Sequence, residues 1–425
     1  MSHALVRTRL PIRSSSVSTG PAPPRPRRPV ALLVFILGVL SATSPLATDL
    51  YLPAFPQIAD DLGASEAQVQ LTLTAVMVGL ALGQLVVGPL SDQFGRRAPL
   101  LIGTAVFAAT SIMCMFVTSA EMFIAVRFLQ GLSAAAGMAV SRAVVRDAFD
   151  GDSAARFFSR LVLLVGLAPM LGPIIGGRML LIGPWQFIFA ALGVAGLIGF
   201  ALVYFGLPET LPRVDRHRQD PMLMVRTFGR LIRDPRFIAP ALTMALSFAM
   251  TFTYISSFSF VSQAQFGATA QQFSVIFGIT TLGMILGNQV NAALIGRMDT
   301  PRRLFVGLAG AVLTVLILLA LDITGRADLV TVTVVLFAMM FCTGLISPNA
   351  TTLAIASQPS AIAGSTSALL GTLQFALGGT LAAAAGFTST GEASLTSMIV
   401  VMLVTGLTAT GVFAAAAMRG HAGSA

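Results

Sequence analysis

Apolar runs of about twenty residues follow one another along the chain, near 30–50, 67–90, 98–118, 121–142, 157–181, 184–206, 237–261, 271–294, 303–322, 329–350, 361–386 and 394–417. A helix of that length crosses the ~30 Å hydrocarbon layer of a bilayer, where only helices and closed barrels leave no backbone group unbonded. The fold class this dictates is an all-α integral membrane protein of twelve spans. Only 10% of the 425 residues are charged, against roughly a quarter in a soluble domain, so the spans dominate the molecule.

The reactive residue types are sparse. Cys114 and Cys342 lie far apart inside apolar runs, which gives no disulfide framework and no CxxC site. His3, His217 and His421 all fall outside the runs, and no HExxH or His/Cys ligand spacing occurs. No metal, no cofactor and no enzymatic chemistry is expected.

The formal net charge is +9, and all 26 basic residues are arginine. They are scattered through short links rather than gathered in a block that could track a nucleic acid, so no nucleic-acid partner is expected. Arg96 and Arg97 follow the second run, Arg142, Arg146, Arg156 and Arg160 surround the link after the fourth, and Arg297, Arg302 and Arg303 follow the eighth. The intervening links carry Asp60, Asp61 and Glu66, then Glu121, then Asp322 with Arg326 and Asp328, then Glu392. By the positive-inside rule both termini and the arginine-bearing links face the cytoplasm. The first 28 residues hold six arginines with several Ser and Pro before a span-length run, which predicts a disordered basic cytoplasmic tail ahead of a retained anchor.

The polar stretch 207–236 divides the runs into six and six, giving an N-terminal bundle over 29–206, a cytoplasmic linker, a C-terminal bundle over 237–418 and a short tail over 419–425. Gly88–Arg97 reads GPLSDQFGRR, and Gly296–Arg303 reads GRMDTPRR at the corresponding place in the second half. Repeated halves that rock about a site near the membrane midplane are how secondary transporters are built.

Four features carry chemistry. Asp49 ends the first run, and the next acidic residue is Asp60. A carboxylate held in a bilayer costs roughly 2.5–3.5 kcal/mol on insertion scales, which makes it a proton-carrier candidate; the other reading is a residue capping the helix end at headgroup level. Arg127, in RFLQGLSAAAG, cannot shed its charge and needs a partner, a polar cavity or a path for snorkelling to the surface. The fifth run contains GLAPMLGPIIGG, Gly166–Gly177, a kinked and closely packing helix. The seventh run is aromatic, with Phe252, Tyr254, Phe258 and Phe260, and amides Asn349 and Gln374 lie in the tenth and eleventh. Such walls suit lipophilic molecules of varied shape.

The segment GPLSDQFGRR resembles the loop signature of the major facilitator superfamily, GxLaDrxGrrxxl, at Gly88, Leu90, Asp92, Gly95, Arg96 and Arg97. There Gly88 would permit close helix contact and Gly95 a tight turn. Gly172, Pro173, Gly176 and Gly177 match the antiporter signature gxxxGPxxGG of the superfamily's exporting branches, and the Arg127 segment is similar to the RxxqGxgaa motif of its proton-linked members. ATDLYLPAFPQIA, Ala47–Ala59, and the stretch Ser347–Ala385 resemble the Bcr/CflA, or bicyclomycin-resistance, group.

That resemblance implies two pseudo-symmetric six-helix bundles and proton-coupled export of drug-like molecules, such as bicyclomycin or chloramphenicol, across a bacterial inner membrane by a monomer. It implies that Asp49 binds the proton, that Arg127 tunes it, and that Asp92, Arg96 and Asp147 form a cytoplasmic cluster stabilising one access state. The expected substrate contacts are Tyr51, Phe252, Tyr254, Phe258, Asn349 and Gln374. The second acid that some related exporters carry one or two turns earlier is absent, because Pro45 and Ser41 stand there. Transport of a physiological metabolite such as an amino acid or sugar is the alternative, since it would share the same topology.

Overall fold

The computed structural model describes residues 30–148, 166–216, 221–359, 362–386 and 394–422. The basic tail 1–28, the start of the fifth run, and Arg156, Arg160 and Glu392 lie outside these residues.

Its helices are α1 Val30–Asp49, α2 Phe55–Leu62, α3 Glu66–Phe94, α4 Arg97–Cys114, α5 Ala120–Ala148, α6 over 166–179, α7 Gln186–Ala201, α8 Pro221–Arg233, α9 Pro235–Phe260, α10 Ala270–Ala293, α11 Thr300–Ile323, α12 Leu329–Ala356, α13 Ala363–Ala383 and α14 Leu395–Ala422. Among the described residues ten segments are long and apolar enough to cross a membrane, and α6 and α13 occupy the fifth and eleventh places. α2 continues the first span, and α8 lies in the stretch between the halves.

Capping chemistry sets where several spans begin. Ser65 with Gln68, Thr269 with Gln272, and Asp328 with Thr331 form reciprocal caps at the starts of α3, α10 and α12, satisfying N–H groups that have no partner inside the helix. Three hydrogen bonds, from the Thr331 backbone N–H first and then from the Thr331 side chain and the Val330 backbone, hold the exposed Asp328 carboxyl below its usual range.

Within each half, the closest helix pairs meet on glycine. A Cβ added to Gly131 of α5 would stand 2.1 Å from Val76 O of α3, and one on Gly79 would stand 2.3 Å from Phe128 O. The second half repeats the device between α10 and α12, where a Cβ on Gly287 would lie 2.0 Å from Phe341 O. Helices in lipid gain no hydrophobic drive from one another, so close backbone approach supplies the dispersion energy. The internal repeat, faint in sequence, is plain in packing.

The halves meet through α3 against α13 and α6 against α10, and through the turn after α1 against α9. The hydrogen bonds that cross between them gather at one end of the bundle. Thr74 Oγ1 donates to Gly379 O at 2.9 Å, Gln271 Nε2 to Gly177 O at 2.9 Å, Ser259 Oγ to Leu52 O, and Gln263 Nε2 to Pro53 O at 3.2 Å. This is the end to which Asp49 belongs.

Two expectations about local structure need correction. The link between the halves is not merely polar, because it folds residues 221–233 into an amphipathic helix. Its alternating pattern is only thirteen residues long, below the length of a span. Gly88 does not serve close helix contact either, since a Cβ there would meet nothing within 4 Å.

Candidate functional site

α1 ends at Asp49, yet the chain does not emerge onto the protein surface there. Tyr51, Leu52, Ala54 and Phe55 are all fully buried, and the turn Leu52–Ala54 leads straight into α2. The apolar sequence YLPAF after the carboxylate therefore keeps it inside, and Asp49 is 6% exposed. It stands on the wall of a cavity of about 300 Å³ between the halves, and it is the one ionisable residue on that wall among the described residues.

The rest of the wall is apolar and adaptable. Methionines 77, 138, 244, 284 and 340 come from five helices, joined by Phe248, Phe252, Phe277 and Phe375. Thioethers and rings fit many shapes without demanding a hydrogen-bond pattern. Hydroxyls of Ser44, Thr48, Ser247, Thr251, Thr281, Thr343 and Ser347, with the Gln374 amide, supply the other polar groups. Along α9 the contributing positions 244, 247, 248, 251, 252 and 255 recur with the period of one helix face. That spacing was the signal available in the sequence, but in a run apolar on all sides it does not stand out from packing.

Of the six expected substrate contacts, Phe252 and Gln374 line the cavity. The others lie off its wall, each for a visible reason. Tyr51 bonds Thr72 Oγ1 at 3.0 Å, and Tyr254 bonds Thr280 Oγ1 at 2.6 Å while stacking on Phe277. Phe258 packs against Phe273. Asn349 donates to Asn291 Oδ1 at 2.6 Å, and Arg303 donates to the same oxygen at 3.0 Å. In the second half the loop arginine is thus met by a neutral amide where the first half has carboxylates.

Arg127 is completely buried, so it does not snorkel. Its Nη2 donates to Ala47 O at 2.8 Å, its Nη1 donates to Gln130 Oε1, and its guanidinium carbon lies 4.0 Å from the Tyr51 ring centroid and 5.5 Å from that of Phe189. It makes no ion pair among the described residues. The cation is held by dipoles and ring faces, and it grips the last turn of α1 two residues before Asp49.

The glycines of α6 bring a third element against the same turn. A Cβ on Gly172 would stand 3.2 Å from the Asp49 Cβ, and one on Gly176 would stand 1.8 Å from Leu50 O. One on Gly177 would meet Ser274 Oγ of α10 at 2.3 Å, and Pro173 beside them is buried. One motif therefore touches the carboxylate's helix and the opposite half at once. Gly176→Ala is expected to destabilise the protein by about 1–3 kcal/mol through overpacking. Gly88→Ala, with open space around it, is expected to change stability by less than about 1 kcal/mol. Thermal melting of the two purified variants checks the contrast, and equal melting would contradict it.

At the opposite end of the first half, Arg96 closes the loop motif. Its Nε donates to Asp147 Oδ2 at 2.7 Å, and its Nη1 donates to Asp92 Oδ1 and, at 2.8 Å, to Ser91 Oγ. Burial alone would lower the Arg96 guanidinium, but the hydrogen bonds from Asp147 and Asp92, with their charges, raise it above its usual value. Gly95 turns the chain at φ +94°, a conformation only glycine adopts readily, and a Cβ there would strike Glu209 Oε2 at 2.3 Å. Glu209 was not foreseen, although it accepts from the backbone N–H groups of Arg96 and Arg97 at 2.9 and 3.3 Å, capping α4. Arg97 reaches Tyr204 O at 2.6 Å. Arg96→Gln removes the cation shared by two partly exposed carboxylates and is expected to cost about 2 kcal/mol, less than for a fully buried pair. A melting point unchanged from wild type would remove the cluster from the stability of this state.

The family model described as Major Facilitator Superfamily matches residues 37–383. The "Uncharacterized MFS-type transporter YdgK" of Bacillus subtilis is 38% identical over 376 residues, covering 88% of this chain and 93% of that protein. The "Bicyclomycin resistance protein homolog" of Haemophilus influenzae is 32% identical over 349 residues, covering 82% and 87%. Among solved structures, the nucleoside transporter NupG superposes with a TM-score of 0.75 at 12% identity, covering 91% of this chain and all of that one, which speaks for the fold. Two gated halves around a buried wall, the loop motif between the second and third spans, and relatives matching over most of their length place this chain in the major facilitator superfamily of membrane transporters, within its Bcr/CflA group.

Proposed function

We propose that this transporter exports drug-like small molecules from a bacterial cytoplasm in exchange for protons, with both termini cytoplasmic. The observation that carries the reading is the Asp49 carboxylate, set alone in the wall of an otherwise apolar, methionine-rich cavity between the halves. The bicyclomycin-resistance name of one relative supports the substrate class. With the Arg96 end in the cytoplasm, the hydrogen bonds at the Asp49 end close the outer side. A lipophilic solute enters from the cytoplasm or inner leaflet and displaces the proton from Asp49. Rocking then breaks the outer hydrogen bonds, the solute leaves, and an external proton reloads the carboxylate.

The arginine cluster and the α6 glycines give that motion two resting places. Arg96, Asp92 and Asp147 stabilise the state described here, and α6 transmits the position of the α1 turn to α10. A single carboxylate on the wall corresponds to one proton per cycle. Export of a neutral drug then moves one net charge, worth about 2.3 kcal/mol per 100 mV, or roughly fiftyfold in the equilibrium drug gradient. Proteoliposomes given a potassium diffusion potential measure this. A voltage-independent gradient of a neutral substrate would overturn the stoichiometry.

The decisive experiment for the function is growth of a pump-deleted bacterium expressing the chain, against a panel of antibiotics and dyes with and without a protonophore. Protection that disappears with the proton gradient is the expected result. No protection from a well-expressed protein would instead favour metabolite transport.

A further inference from the structure

We propose that α8 is an in-plane membrane helix that binds the headgroups of anionic phospholipids at the Arg96 end of the protein. The sequence PMLMVRTFGRLIR divides into three lengthwise strips. One strip is spent on the protein: Leu231 is buried and Phe228 packs on the core, where α8 meets α9 and α13. A second strip is apolar and uncovered, with Met222 58%, Val225 61% and Ile232 50% exposed. The third consists of Arg226, Arg230 and Arg233, all exposed, on the side of the helix adjoining the apolar row.

An apolar row left in water costs free energy, and a row of cations beside it says what medium removes that cost. None of the three arginines makes an ion pair among the described residues. Of the two acids that flank α8 in sequence, Asp220 lies outside the described residues and Asp234 is already engaged, accepting from Arg236 N at 3.0 Å and from Gln358 Nε2 at 2.6 Å. A helix with exposed Met, Val and Ile side chains beside arginines that make no ion pair among the described residues lies in the headgroup boundary, apolar row toward the acyl chains and guanidinium groups on phosphate.

Position along the membrane normal agrees. α8 is tethered on both sides by spans, and Asp234 alone separates it from Pro235, the first residue of α9. The helical turn Leu202–Gly206 that follows α7 carries Tyr204 and Phe205, 51% and 76% exposed, which are aromatic rings of the kind that settle at the interface. Guanidinium forks match phosphate oxygens in two-point contacts, and a negative leaflet holds each such arginine roughly fivefold more strongly than a neutral one. Since α9 and α13 both contribute to the cavity wall, lipid bound at α8 also bears on the half that must rock.

The test uses the full chain in vesicles of phosphatidylcholine with and without phosphatidylglycerol. Two readouts apply: selectivity for spin-labelled phosphatidylglycerol over phosphatidylcholine, and amide hydrogen exchange across 221–233. Wild type is expected to select phosphatidylglycerol and to exchange more slowly in its presence. Arg226→Gln/Arg230→Gln/Arg233→Gln is expected to lose that selectivity by roughly fivefold or more, with exchange insensitive to the anionic lipid and melting in phosphatidylcholine unchanged. If the triple variant does not fold, Arg226→Gln and Arg230→Gln singly are expected to show partial losses that sum toward it. Equal selectivity in wild type and variants, or exchange indifferent to phosphatidylglycerol in wild type, overturns the proposal. Both readouts would also stay still if a soluble protein were the true occupant of this face.

Discussion

Asp49→Asn is expected to abolish proton release on drug addition and to reduce gradient-driven export to background, while the protein still reaches the membrane and melts at or above the wild-type temperature. Asparagine keeps the shape and hydrogen-bonding reach of the side chain and removes only the exchangeable proton. Removing a carboxylate from a buried site relieves a desolvation cost, so stability should hold or improve. Function should not, because Asp49 is the one ionisable group on the cavity wall among the described residues. Loss of coupling forfeits roughly fiftyfold of drug accumulation for each 100 mV of driving force. Everted vesicles with a pH-sensitive dye measure proton release, and a fluorescent substrate measures export. Asp49→Glu, whose extra methylene must fit beside Gly172, is expected to retain partial activity. Full gradient-driven export by Asp49→Asn would sink the coupling scheme.

Arg127→Lys is expected to lower stability by about 2–4 kcal/mol and to weaken drug-driven proton release, although the charge is preserved. The guanidinium uses two nitrogens on two acceptors, Ala47 O and Gln130 Oε1, and lays its plane near the rings of Tyr51 and Phe189. A lysine has one nitrogen for the same tasks. A hydrogen bond to a charged group contributes about 1.5–3 kcal/mol, and a desolvated cation–π contact about 2. In the state described here Arg127 meets the last turn of α1 at the Ala47 carbonyl and not at the Asp49 carboxylate. Thermal melting and the proton-release assay separate the two effects. A variant that melts early but couples normally would make Arg127 a packing residue only.

Much of this was legible in the sequence because bilayer physics is unforgiving. Span length and a lone carboxylate are one-dimensional signals, and each corresponds to a feature of the fold. The loop motif was legible too, since Asp92, Arg96 and Arg97 are charged residues in an apolar chain. What the sequence hid is whatever depends on which way a helix faces. In runs apolar on every side, Met77 on the cavity and Phe258 in the core look alike. Tyr51 and Asn349 attracted notice for their polarity, but polarity in a buried place is first satisfied by neighbours, here Thr72 and Asn291. Glu209 sits more than a hundred residues from the arginines it caps, beyond any local pattern. Helix α8 was missed because its apolar pattern, thirteen residues long, is too short for a span and its arginines already explained the charge bias of the link.

The seam near Asp49 has an asymmetry that bears on how such proteins can drift. On the α9 side it depends on particular donors, the Ser259 hydroxyl and the Gln263 amide. On the other side it depends on the main-chain oxygens of Leu52 and Pro53. Every residue type carries that oxygen, so mutations after the carboxylate can accumulate without unlocking the exit, provided the turn keeps its shape. A change at 259 or 263 has no such tolerance. Variants that loosen this seam should therefore arise on one side of it far more often than on the other.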